Sequence, residues 1–240
     1  MEKTVRLDSY LARLGIASRR SIASVLREQQ VTLNGNRVKE HGVRINPEKD
    51  HIHINGKQVT KPQLLYFLVY KPKGYISTAD DEQGRKTVVD LITSPTRIYP
   101  VGRLDKDSHG IMLLTNDGDL SNKLIHPKYH VPKTYEVLIR GYIGEYKLNK
   151  LRTGVKLYDG TTLPADVKII KQTNSKTLLQ IVLYEGKKRQ IRRMCEALEL
   201  PLIDLKRVKF GTLHLGKLQP GNYRSLTKHE LQELKGITNA

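Results

Sequence analysis

Apolar positions in the first sixty residues change their rhythm midway. Leu7, Tyr10, Leu11 and Leu14 recur at the three- and four-residue spacing of a helical stripe, and Gly15 follows as a stop. Ser18 is placed to cap a second helix running through Ile22, Val25 and Leu26. The period then falls to two. Val31-Thr32-Leu33 reads as a strand entering Asn34-Gly35, and Ile52 and Ile54 alternate with His51 and His53 before Asn55-Gly56. Asn-Gly marks a tight hairpin turn, because both residues tolerate positive φ. The segment is expected to form two short helices and then a small hairpin sheet.

A linker is expected around residues 58–63, where Pro62 breaks any helix. From Leu64 short apolar runs alternate with Gly- and Pro-marked turns: residues 65–70, 111–114, 135–139, 167–170 and 178–183. Helical stretches are fewer, at 88–92, 119–125, 191–198 and 228–234; the third has the clearest periodicity. Many strands with few crossover helices predict an α+β domain on a mostly antiparallel sheet. The expected division is a small module over 1–60 and a larger domain over 64–235.

Charge changes this picture most. The 240 residues hold 42 Lys and Arg against 24 Asp and Glu, a formal net charge of +18. Such an excess repels itself in a compact fold, and a polyphosphate partner relieves it by releasing counterions. Nucleic acid is the expected partner because the basic residues cluster. The single cysteine, Cys195, excludes an internal disulfide and a cysteine-based zinc site and fits a reducing compartment. No apolar signal core opens the chain, and the longest apolar stretch, 64–69, is too short to span a bilayer. A cytoplasmic protein without a membrane partner is expected.

Three separated segments carry candidate chemistry: the loop Gly102-Arg103-Leu104-Asp105-Lys106-Asp107, Tyr135, and the run Arg189-Gln190-Ile191-Arg192-Arg193. Taken singly, Asp105 reads as a loop residue satisfying backbone amides, and Tyr135 as a core aromatic. Asp105, Asp107 and Gly110 partly imitate a calcium loop, but Asn116 stands where the closing Glu is needed. Gly186-Lys187-Lys188 lacks the Ser or Thr of a phosphate-binding loop. His126 and His130 have ligand-like spacing, yet Pro127 interrupts the helix and no third ligand is evident, so no metal site is expected. On the helix over 191–198, Ile191, Met194, Cys195 and Leu198 share the core face. Arg193 then points to water or RNA, and Arg192 lies at the border, where a partly desolvated guanidinium requires a carboxylate. Asp105 is its best candidate. His109 stands near this site as a further RNA contact.

Two resemblances gather these pieces. Arg6 to Leu11, Gly15 to Arg20, Val31 to Gly35 and Ile54-Asn55-Gly56 resemble the S4 RNA-binding domain. Tyr70-Lys71-Pro72-Lys73-Gly74, the loop from Gly102 to Gly110 continuing through Leu120, Lys133-Thr134-Tyr135, and Glu185 to Cys195 resemble the RsuA/RluB/RluE/RluF family of RNA pseudouridine synthases. The likeness is greatest to the RluF type, through Leu-Asp-Lys-Asp-Ser and Arg-Arg-Met-Cys-Glu. Tyr70 departs from the Asn that the family commonly carries before Lys-Pro.

The resemblance implies an S4-like α-L module followed by a catalytic domain on a mixed, mostly antiparallel, bent sheet with flanking helices. It implies isomerisation of a uridine in ribosomal RNA, large-subunit RNA favoured, with no cofactor. Asp105 is then the nucleophile, Tyr135 stacks on the uracil and Arg192 pairs with Asp105. Arg103 fills the space of the flipped nucleotide or holds its phosphate. Lys71, Arg189 and Arg193 in the large domain, and Arg13, Arg19, Arg20 and Arg37 in the small one, are the expected RNA contacts. A tRNA as second substrate stays open, and a monomer is expected. The competing reading is a non-enzymatic S4-type RNA-binding or ribosome-associated protein.

Overall fold

The computed structural model describes residues 4–17, 21–40, 42–60 and 62–238. The expected cap Ser18 and the expected contacts Arg19 and Arg20 lie outside the described residues. The chain divides into two compact units. The smaller comprises Met1–Leu65 with Ser94–Ile98 and Asn116–Gly118, and the larger takes the remainder. Within the smaller unit, buried Asn116 accepts from Leu65 N at 2.8 Å and donates to Gln63 O at 2.9 Å.

The smaller unit contains β1 (Val5–Arg6), α1 (Leu7–Arg13), α2 (Ile22–Glu28), β2 (Val31–Leu33), β3 (Asn36–Arg37), β4 (Arg44–Ile45), β5 (Ile52–Ile54) and β6 (Lys57–Gln58). The helical stripe is buried as its spacing requires: Leu7, Tyr10, Leu11, Ile22 and Leu26 pack with Val31, Ile45 and Ile52. Helix α2 begins after Ser21, whose side chain makes no capping bond. The sheet runs β3-β2-β5-β6, and β1 pairs β4. Both Asn-Gly turns adopt the left-handed conformation that their hairpins need, with φ of 51° and 85° at Asn34-Gly35 and 51° and 78° at Asn55-Gly56. Each Asn side chain also bonds a neighbouring strand or its approach: Asn34 Oδ1 accepts from His51 N at 2.8 Å and Asn55 Oδ1 from Gln30 N at 2.9 Å.

The larger unit contains β7 (Tyr66–Lys71), β8 (Tyr99–Pro100), β9 (His109–Thr115), α3 (Gly118–Ile125, of which Gly118 is counted in the smaller unit), β10 (Lys133–Arg140), α4 (Glu145–Thr153), β11 (Lys156–Leu157) and β12 (Gly160–Thr161). It continues with β13 (Asp166–Gln172), β14 (Lys176–Leu183), α5 (Gln190–Ala197), β15 (Leu202–Phe210), β16 (Leu213–His214), β17 (Tyr223–Ser225) and α6 (Lys228–Gly236). A nine-stranded sheet has the order β13-β14-β10-β15-β9-β7-β17, with β16 on β15 and β8 on β9. Its pairings are antiparallel except β9 with β15, so the sheet is mixed and mostly antiparallel, as expected. The expected helix over 88–92 is a single 3₁₀ turn at Val89–Leu91.

Two cores fill this unit. Val137, Ile139, Leu179 and Ile181 meet Leu148 and Leu151 of α4 and Ile191, Met194 and Cys195 of α5. Leu68, Ile111, Leu113 and Phe210 meet Leu120 and Leu124 of α3 and Leu234 of α6. At the parallel seam the strands approach closely enough that only glycine fits. Gly110 has φ +115°, and a Cβ there would collide with the Arg207 carbonyl.

Helix α6 opens on a capping box. Thr227 Oγ1 accepts from Glu230 N at 3.2 Å, and Glu230 Oε2 accepts from Thr227 N at 2.9 Å. Arg224 donates to both Glu230 oxygens, at 2.8 and 2.6 Å, and this pulls the carboxyl down to about 2. A depressed carboxyl stabilises the fold above its ordinary pKa, and that contribution fades as pH falls toward the folded value. Glu230→Gln is expected to cost about 1 kcal/mol at pH 7. Urea titrations should show the difference shrinking steadily below about pH 4.5.

Candidate active site

Asp105 owes its position to its neighbours. Val101 and Leu104 are buried, so the loop is pinned inward on both sides of the exposed Arg103. Ser77 holds Leu104 twice: its Oγ donates to Leu104 O at 2.7 Å and accepts from Leu104 N at 3.0 Å. Gly74 N donates to Lys106 O at 2.8 Å. Lys71 Nζ, fully buried, donates to Ser108 O at 2.7 Å and to Pro72 O at 3.0 Å. Burial pushes the Lys71 ammonium down to about 8, against the opposing pull of Asp105 and Asp107. With Leu104 tied inward, the next side chain turns out into the cleft.

Tyr135 reaches the same cleft from β10, the strand between β14 and β15. The register with β15 shifts between Thr134 and Tyr135, and such an irregularity re-aims a side chain relative to a flat strand. Opposite Tyr135 on β15 lies Arg207, only 3% exposed. Its Nε donates to Ile111 O at 2.9 Å, its guanidinium lies 5.1 Å from the Phe210 ring centre, and its Nη2 has no hydrogen-bond partner. Burial, and after it Arg207, pushes Lys133 down to about 8. Two basic side chains, Lys133 and Arg207, thus lie in the strands around the tyrosine, both partly desolvated.

Arg192 enters from α5. The loop before this helix is shaped by Glu185, whose Oε1 accepts from Gln190 Nε2 at 2.7 Å and from Leu163 N at 2.8 Å. Arg192 Nε is buried without a hydrogen bond and faces Asp105 Oδ2 at 3.6 Å. The guanidinium is shared: Nη1 lies 3.1 Å from Asp107 Oδ2, and Nη2 donates to Ser108 Oγ at 3.0 Å and Asp107 O at 3.1 Å. Arg189 Nη1 stands 3.3 Å from Asp107 Oδ1 and 3.9 Å from Asp105 Oδ2. Burial alone would raise the Asp107 carboxyl; Arg192, and then Arg189, outweigh it and hold the group below its ordinary range. Asp107 thus takes the shorter ion pairs and leaves the Asp105 oxygens less committed.

The cleft is lined by Arg103, Asp105, Ser108, Tyr135, Glu185, Lys187 and Arg189, among others. It brings together Asp105 and Tyr135, with Arg192 beside the carboxylate. Two expectations need correction. Lys71 is no surface contact: its ammonium is enclosed by the loop it supports, out of reach of a phosphate. Arg193 does not extend into water. Its side chain is 13% exposed and pairs with Asp159 at 2.9 Å, because the β11–β12 hairpin packs against that side of α5. His109 is engaged by Tyr70 and Asp204, at 2.8 Å each. Arg13 and Arg37 are exposed in the smaller unit. Sequence reading missed the supports Ser77, Ser108 and Arg207. Ser77 and Ser108 carry no periodic signal, and Arg207 lies in a strand masked by its charges.

Residues 65–197 match the family model of RNA pseudouridylate synthases, and residues 5–50 match that of the S4 domain. The chain is 42% identical to the ribosomal large subunit pseudouridine synthase B of Bacillus subtilis (strain 168), over 98% of this chain and 97% of that protein. It is 38% identical to an RNA pseudouridine synthase of Aquifex aeolicus (strain VF5), over 96% and 93%. A crystal structure of a pseudouridylate synthase superposes with a TM-score of 0.70 at 30% identity, covering 96% of this chain and 99% of that one. These likenesses displace the reading of a purely RNA-binding protein. Among the described residues, no helix is long and apolar enough to cross a membrane.

Proposed function

The chain belongs to the RNA pseudouridylate synthase family and carries an S4 domain, and from that premise we propose that it converts one uridine of large-subunit ribosomal RNA to pseudouridine with Asp105 as nucleophile. The observation that carries this reading is the cleft that holds Asp105 and Tyr135 with Arg192 Nε 3.6 Å from the carboxylate. The substrate class is supported by the Bacillus subtilis relative, whose name specifies the large subunit.

The reaction is an isomerisation and requires no redox partner. The bond from N1 to ribose C1′ breaks, the uracil turns, and C5 bonds to C1′. C5 loses its proton and N1 gains one. A stacked nucleotide hides the bond, so it must be extruded, at a cost of a few kcal/mol that remote RNA contacts offset. Asp105 attacks as its anion. Arg192 stands beside the carboxylate with Nε at 3.6 Å while its Nη atoms hold Asp107 and Ser108, a planar arrangement that lysine lacks. Tyr135 holds the detached ring by its face, a contact that tolerates rotation of the base. Arg103 and Arg189, exposed at the mouth, meet the phosphates flanking the target. Ribose C1′ and uracil C6 are both within the chemistry of one carboxylate.

The protein acts as a monomer in the cytoplasm. Its one thiol, Cys195, is buried and pushed up to about 12, so it remains protonated and inert. In the smaller unit, Arg13 and Arg37 grip RNA phosphates. Replacing both with Ala should weaken RNA binding and flatten the plot of log affinity against log salt by roughly 1.5. An unchanged slope would remove these two residues from the interface.

The test of function is conversion of unmodified ribosomal RNA. Purified protein incubated with large- and small-subunit transcripts should produce pseudouridine at one position of the large-subunit RNA. Product only in small-subunit RNA would reassign the substrate, and none in either would overturn the reading.

A further inference from the structure

Tyr158, in the turn of the β11–β12 hairpin, is 85% exposed, yet one face of its ring is occupied. The Arg193 guanidinium lies 4.8 Å from the ring centre. Arg193 itself is largely buried, its side chain 13% exposed. Its charge is balanced by Asp159 at 2.9 Å, from the residue next to Tyr158, and by the ring. The hairpin is tied again by Lys187, whose Nζ donates to Thr161 O at 3.1 Å. Lys187 also lines the cleft that contains Asp105. One side chain therefore joins the rim of the cleft to the hairpin that presents the tyrosine.

A tyrosine placed only for packing would bury its ring. Here the ring is backed by a cation on one face and open on the other. The backing fixes its orientation and so reduces the entropy that a ligand would have to remove. The flat partner that suits such a surface is a nucleobase. An unpaired base next to an extruded uridine has lost a stacking neighbour, and base–aromatic stacking tolerates any sequence. The net charge of +18 supplies the attraction for the attached phosphates.

We propose that Tyr158, backed by Arg193, is a stacking platform for an unpaired RNA base adjacent to the target uridine. This rests on the reading of the Asp105 cleft as the uridine site. Tyr158 is a positioning residue: it holds the RNA strand at the mouth of the cleft and touches no reacting atom.

The test uses the full chain and an RNA stem-loop containing the target uridine. Tyr158→Ala is expected to raise KM about tenfold and leave kcat within about twofold, while Tyr158→Phe remains near wild type. A 2-aminopurine beside the target should be quenched on binding wild type and Tyr158→Phe, and much less on binding Tyr158→Ala. Wild-type KM and quenching in Tyr158→Ala would overturn the proposal. So would an equal defect in Tyr158→Phe, which would assign the effect to the hydroxyl. Unfolding midpoints identify a variant that has lost structure; Tyr158→Leu, which keeps an apolar cover over Arg193, then serves in its place under the same two criteria. Wild-type product formation separates the two readings: without product the functional assignment fails, and with product but no Tyr158 effect only this inference fails.

Discussion

Asp105→Asn is expected to lower single-turnover pseudouridine formation by at least about a thousandfold while RNA affinity stays within about threefold of wild type. Asn is nearly isosteric, so the ties of Ser77 to Leu104 and of Gly74 to Lys106 should persist and the loop should retain its shape. What is lost is the negative oxygen that forms the covalent bond. The amide also removes a counter-charge from Arg192 and Arg189, at 3.6 and 3.9 Å, which should favour binding of an RNA phosphate slightly. Filter binding and site mapping on the same preparation check both parts. Asp107→Asn is the control: Asp107 takes the shorter ion pairs with both arginines, so its loss should loosen the site without abolishing chemistry.

The second large effect is expected at Arg192. Its guanidinium joins Asp105, Asp107 and Ser108 across an interval of more than eighty residues. Arg192→Ala leaves two carboxylates near each other, with the half-exposed Arg189 still beside both. The Asp107 carboxyl, now held below its ordinary range, should rise. Misplacement of the nucleophile by an ångström costs on the order of a hundredfold in rate, so kcat should fall by about that much while KM changes little. Arg192→Lys restores charge but not the fork, and should recover only part of the loss. Stopped-time assays at saturating RNA separate the two parameters. A variant with normal kcat and raised KM would place Arg192 in RNA binding instead.

Much of the smaller unit was legible because its signals are local. Leu7, Tyr10 and Leu11 share a helix face by spacing alone, and Asn34-Gly35 and Asn55-Gly56 impose their turns wherever they stand. In the larger unit the apolar run over 178–183 likewise falls on a strand, β14. Strand β15 was not, although it lies at the centre of the sheet. Asp204, Lys206, Arg207 and Lys209 interrupt its apolar pattern, and Arg207 is buried as a charge, which no periodicity anticipates. Helix α4 was missed because only Leu148 and Leu151 of its nine residues are buried.

At the site, residue types and order brought Asp105, Tyr135 and Arg192 forward, but not the division of labour around them. That Asp107 captures most of the guanidinium, that Lys71 supports the loop from beneath, and that Arg193 turns to the hairpin are all consequences of tertiary packing. A lysine in Tyr70-Lys71-Pro72 and one on an RNA surface are indistinguishable until the neighbouring carbonyls of Pro72 and Ser108 are in place. The expectation that Arg193 points to water or RNA failed for the same reason: α5 has a second neighbour, the β11–β12 hairpin, that its own sequence does not announce.

The most direct measurement is release of tritium from ribosomal RNA labelled at uridine C5, since that hydrogen leaves only when the base has been detached, turned and rejoined. With RNA saturating, wild type should release label from a single site and Asp105→Asn should release none, although the RNA remains bound. Wild-type release by the bound Asp105→Asn protein would contradict the account.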